Sequence, residues 1–118
     1  MQLGDTFVMG QGGHLWIVIS DPARNSGEFI IVNITTDLSR AGTDCELVPG
    51  DHPFITDPSY VTYGDARKVT PQQEALLEQA MNSGAITRHA TMRRTVLSKV
   101  VSAGKISKAL PEGFRSYL

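Results

Sequence analysis

His14-Leu15-Trp16-Ile17-Val18-Ile19 decides how this chain is read. Its five consecutive apolar residues are too few for a helix with a polar face, and they leave neither side polar, as in a central strand covered on both faces. Ser20-Asp21-Pro22 ends the run, because proline has no N–H to give to a ladder. Asn25-Ser26-Gly27 then reads as a turn, and Phe29-Ile30-Ile31-Val32-Asn33-Ile34-Thr35, rich in β-branched residues, returns as an antiparallel partner. Thr43 to Val48 alternates polar and apolar residues like a half-buried strand, and Pro49-Gly50 turns the chain so that Asp51 and His52 are exposed. Shorter strands are expected at Gly4–Met9, Tyr60–Tyr63 and Ala66–Val69. Five or six short strands in about 70 residues are too few for two large sheets, so a small, strongly curved barrel is the economical architecture.

The pattern changes at Thr70. Thr70-Pro71-Gln72-Gln73 offers an N-cap, a proline at the first helical position and a capping-box glutamine, so a helix is predicted over about 70–82 and is stopped by Asn82-Ser83-Gly84. A second helix is predicted over about 90–103, with Met92, Val96, Val100 and Ala103 as its apolar stripe and Gly104 as its C-cap. The fold class is therefore α+β. A barrel with its closing helix occupies residues 1–84, and a helical extension, in the same domain or appended to it, occupies 85–118.

With 118 residues and 41% hydrophobic content the chain suits one globular domain. The lone Cys45 excludes an internal disulfide and reads as a small buried hydrophobe, and the absence of a basic leader or a long apolar run points to the cytoplasm and away from membranes. The formal charge of −1 hides a strong asymmetry. Residues 1–86 hold four Lys and Arg against eleven Asp and Glu, a balance of −7, whereas residues 87–118 hold seven against one, a balance of +6. The basic end either collects phosphates, with Arg88, Arg93, Arg94 and Lys99 as the contacts, or lies against acidic surface of its own chain or a partner.

Chemistry centres on His14 and His52, because an imidazole with a pKa near 6.5 both accepts and donates protons around neutrality. His14, His52, Asp51 and His89 lack the spacing of a zinc signature, and Gly10-Gln11-Gly12-Gly13 lacks the lysine and helix of a phosphate loop, so no cofactor or metal is expected.

The order Gly4-Asp5, His14-Leu15-Trp16-Ile17-Val18-Ile19-Ser20 and Val32-Asn33-Ile34-Thr35-Thr36 resembles the core layout of PemK/MazF-type toxins over roughly residues 4–82. That resemblance implies an SH3-like barrel and a bacterial, metal-independent endoribonuclease acting on single-stranded RNA, with a cognate antitoxin and, by analogy, a homodimer. It places Thr35 at the family's active-site threonine and His14 where the family carries an arginine, a departure that replaces a fixed charge with a titratable ring. RNA cleavage through the 2′-hydroxyl then needs a base and an acid, for which His52 and His14 are the expected pair, and a phosphate donor, for which Thr35 is the candidate. Arg67 and Lys68 are the electrostatic candidates, and Tyr60 and Tyr63 the residues available to stack on a base. The competing expectation is a non-catalytic SH3-like module that binds a protein or nucleic acid.

Overall fold

The computed structural model describes residues 1–118. It is an α+β fold built on one six-stranded antiparallel sheet that curls on itself. The strands are β1 (Thr6–Met9), β2 (His14–Val18), β3 (Phe29–Thr35), β4 (Glu46–Leu47), β5 (Ser59–Val69) and β6 (Thr87–His89), hydrogen-bonded in the order β4-β5-β3-β2-β1-β6. No pairing joins β4 to β6, so the expected barrel is an open, curled sheet. The two edge strands, two and three residues long, are too short to close it.

Side-chain alternation divides β2 and β3 between two apolar layers. Leu15, Ile17, Ile30, Val32 and Ile34 point into the larger core, while Trp16, Val18, Phe29 and Ile31 point into a smaller one on the opposite face. Each is buried, which explains why the two runs read as almost continuously hydrophobic. In β5 the two short strands expected at 60–63 and 66–69 are one eleven-residue strand. A register shift opposite Ile31 and Asn33 absorbs the irregularity that made it read as two.

Helix α1 (Leu38–Ala41), a single turn after β3, was not expected. Asp37 starts it by accepting the Ser39 N–H, and Arg40 ties it to Asp65 of β5 at 2.7 Å. Helix α2 (Pro71–Ser83) begins as predicted. The Thr70 hydroxyl accepts the Gln73 N–H and the Gln73 side chain accepts the Thr70 N–H, at 3.3 and 2.9 Å. No residue of α2 is buried, and it leans on the smaller core through Leu77 and Met81.

Helix α3 (Arg94–Ile106) covers the larger core with Val96, Val100 and Gly104. It starts four residues later than predicted because Thr87–His89 extends the sheet, pairing with Thr6–Val8. Gly104 is no cap: it lies inside α3, where a Cβ would stand 3.1 Å from the Tyr63 ring and 3.2 Å from Leu118. Glycine is needed there for close packing, and Ser107 ends the helix instead. Residues 85–118 thus contribute an edge strand and Met92, Val96, Val100 and Leu110 to the main core. No helix is long and apolar enough to cross a membrane.

Candidate functional site

The β2–β3 ladder pairs Trp16 with Asn33, and the same register carried two residues further sets His14 opposite Thr35. Cross-strand partners face the same side, so an imidazole and a hydroxyl meet at the open end of the sheet. Both are half-buried, and both line one depression of about 290 Å³ whose other walls are Gly12, Gly13, Ile34, Thr36, Phe54, Thr56, Asp57 and Ser59.

Hydrogen bonding fixes what these groups can offer. His14 Nδ1 lies 3.3 Å from the Ile34 carbonyl. A carbonyl only accepts, so Nδ1 carries a hydrogen, and Nε2 is the ring nitrogen left without a protein partner. Thr35 Oγ1 accepts the Asp37 N–H at 3.1 Å, which leaves the hydroxyl hydrogen to donate. The depression therefore holds one uncommitted imidazole nitrogen beside one hydroxyl donor, with Phe54 as an aromatic wall and Asp57 as its one carboxylate.

His52 departs from the expected arrangement. It is 3% exposed and lines a different depression with Asp51, Ala90, Thr91 and Arg93. Its Nε2 donates to the Ala90 carbonyl at 2.6 Å, its Nδ1 accepts the Phe54 N–H at 3.1 Å, and Thr6 Oγ1 lies 3.2 Å from Nε2 while donating to that same carbonyl. Burial pushes the His52 pKa down. The bond to Ala90 opposes that shift and the nearby His89 ring, with centroids 5.0 Å apart, adds to it. With both nitrogens committed to backbone, His52 has nothing left to exchange with a substrate. The structure does not bring His52 and His14 together as the expected acid–base pair: the tie that locks the β4–β5 loop to the β6–α3 connection keeps His52 in a different depression from His14.

The remaining candidates separate too. Arg67 and Lys68 line a third, mostly apolar groove with Met9, Ile31, Val69, Gln73 and Leu77, and the Arg67 guanidinium sits 4.9 Å over the Trp16 ring. Neither touches the His14 depression. Tyr63 is core: it is 1% exposed and its hydroxyl donates to the Val100 carbonyl at 2.7 Å, so it cannot stack on a base. Tyr60 is half-buried and pairs across the ladder with Thr35, which puts it beside the depression. The Glu46 carboxylate beside Tyr60 pushes the pKa of its hydroxyl up.

Most of the basic C-terminal side chains lie against their own chain. Arg88 reaches Glu78 at 3.1 Å and Asp5 at 3.7 Å, Arg93 reaches the Gly50 carbonyl at 3.1 Å and Asp51 at 3.7 Å, and Lys99 donates to the Glu46 carbonyl. Of the four expected phosphate contacts, Arg94 alone makes no such bond, so the intrachain alternative accounts for the other three.

Phe54, Asp57 and Ser59 were missed by sequence reasoning. They follow His52 closely, but nothing in their spacing announces that the loop folds over the end of β2. No three His, Cys, Asp or Glu side chains gather where they could hold a metal ion. Scans of known protein families and of curated proteins find no match for this chain.

Proposed function

We propose that the curled sheet is an SH3-like, PemK/MazF-like half-barrel and that the chain is a toxin-type endoribonuclease cleaving single-stranded RNA at the His14–Thr35 depression. The observation that carries this reading is the pairing of a His14 Nε2 that makes no protein hydrogen bond with a free Thr35 hydroxyl hydrogen in one open hollow. His14 takes the proton from the ribose 2′-hydroxyl, and the freed 2′-oxygen bonds to phosphorus. The bond from phosphorus to the 5′-oxygen breaks, and that oxygen takes a proton from water, leaving a 2′,3′-cyclic phosphate and a 5′-hydroxyl. Thr35 donates to a non-bridging phosphate oxygen as charge builds on it. Tyr60 supplies an adjacent ring for a flanking base.

One feature favours a second reading, a binding module without turnover. No Arg or Lys lines the depression, and its only fixed charge is the Asp57 carboxylate. Incubating the full chain with mixed-sequence single-stranded RNA, without divalent ions, separates the two. Cleavage that drops roughly 10²-fold or more in His14→Ala, with an unchanged circular dichroism spectrum, supports the enzyme. Intact RNA with the wild-type chain, or equal cutting by His14→Ala, leaves the module.

A further inference from the structure

His52 lies outside the His14 depression, yet it touches one of the depression's walls. Phe54 lines that hollow, and its backbone N–H donates to His52 Nδ1 at 3.1 Å. The Phe54 ring meets the His89 ring edge to face, with centroids 6.0 Å apart at 85°. One residue thus contacts two imidazoles and also lines the candidate site.

We infer that His52 is a positioning residue for the candidate site, holding the Phe54 wall through a hydrogen bond that its ring accepts only while Nδ1 is unprotonated. The inference rests on the reading of the His14–Thr35 depression as the functional site. The logic is one of donors and acceptors. Nε2 is already a donor to the Ala90 carbonyl, so a second proton on this ring must go to Nδ1, where it would face the Phe54 N–H. Two donors then oppose each other inside a buried tie, and the bond to Phe54 is lost.

The groups around His52 make that outcome a local one. From β6 comes His89, whose Nδ1 accepts the Ala90 N–H at 2.9 Å and whose own protonation would add a like charge. From β1 comes the neutral Thr6 hydroxyl. The adjacent Asp51 is shared between the Val48 N–H and Arg93, so no free carboxylate stands ready to take a charged imidazole. Protonation therefore loosens the loop that carries Phe54, Thr56 and Asp57, and with it one side of the hollow.

Nuclear magnetic resonance of the full chain, taken from about pH 7.5 to about pH 5 across the ordinary histidine range, tests this without any RNA. The Phe54 amide resonance should move in step with the His52 ring, and the Thr35 amide should follow. In His52→Asn the side-chain oxygen stands where Nδ1 was and accepts the same N–H without titrating, so the Phe54 amide should stay fixed over the range. A Phe54 amide that ignores His52's titration, or that moves equally in His52→Asn, overturns the inference. Should acid unfold the wild-type chain first, His52→Asn must remain folded at that pH; if it unfolds alongside, the inference fails. Failure to cut RNA would sink only the proposed activity and leave these outcomes unaffected.

Discussion

The guanidinium of Arg67, on β5, lies 4.9 Å over the ring of Trp16, on β2, and closes the exposed side of the smaller core. β3 lies between those two strands, so the contact reaches across it. Arg67 therefore works as a lid on Trp16, which is 4% exposed, and is spent structurally. Arg67→Ala should cost about 0.5–1 kcal/mol. It should also shift fluorescence to the red, a clean readout because the chain has one tryptophan. An unchanged urea midpoint together with an unshifted emission maximum would refute the lid.

Tyr63 and Gly104 form a second matched pair. The tyrosine hydroxyl donates to the α3 carbonyl of Val100, and the ring occupies the space that the missing Cβ of Gly104 leaves. Tyr63→Phe should destabilise by about 1 kcal/mol through the lost buried hydrogen bond. Gly104→Ala gains about 1 kcal/mol of helix propensity but must displace a fully buried ring, an overpacking cost of about 1–3 kcal/mol. The net effect should be a lower melting temperature, and a higher one would show that the ring yields freely.

The pH dependence of stability follows from His52. Its folded pKa lies below the ordinary value of 6.5, so the unfolded chain binds more protons in the interval between the two. Stability is fully present above about pH 6.5 and is lost as pH falls toward the folded pKa, at up to about 1.4 kcal/mol per pH unit for one proton. Urea midpoints at about pH 7.5 and about pH 5.5 should differ in that direction for the wild-type chain and converge in His52→Asn, a group that no longer titrates. Equal slopes in the two proteins would assign the acid sensitivity elsewhere.

Charge at the C-terminal end should behave in two classes. Arg88, engaged with Glu78 and Asp5 at the surface, should cost no more than about 1 kcal/mol when replaced by alanine. Its removal should leave the salt dependence of any RNA binding unchanged. Arg94 makes no intrachain bond, so Arg94→Ala should flatten that dependence by about one log-slope unit if RNA reaches α3. Filter binding across a salt series distinguishes the two, and a flattened slope for Arg88→Ala would contradict the pairing described here.

The strands carried their own signatures. Phe29–Thr35 was legible to the residue because β-branching, alternation and flanking turn residues agreed, and α2 was legible because Thr70, Pro71 and Gln73 each act within one helical turn. What sequence could not supply was everything decided at long range. Thr87–His89 has two polar side chains and one imidazole, with no apolar alternation, and becomes a strand only because β1 offers it an unpaired edge. Gly104 looked like a helix stop because its real partner, Tyr63, is 41 positions away. The two histidines illustrate the same limit: residue type drew attention to both rings. Only the fold showed that one lines an open hollow with a ring nitrogen uncommitted while the other is spent on the backbone.

The pairing of β1 with β6 has a consequence for how the molecule is made. Thr6–Val8 waits for Thr87–His89, so on the ribosome the first strand has a bare flank until roughly 80 further residues, the separation of the two strands, have emerged. Helix α3 lies later still, so the larger apolar layer also stays uncovered while it is made. The sheet must therefore close late and in concert, and its most aggregation-exposed interval lasts until α3 has emerged to cover it.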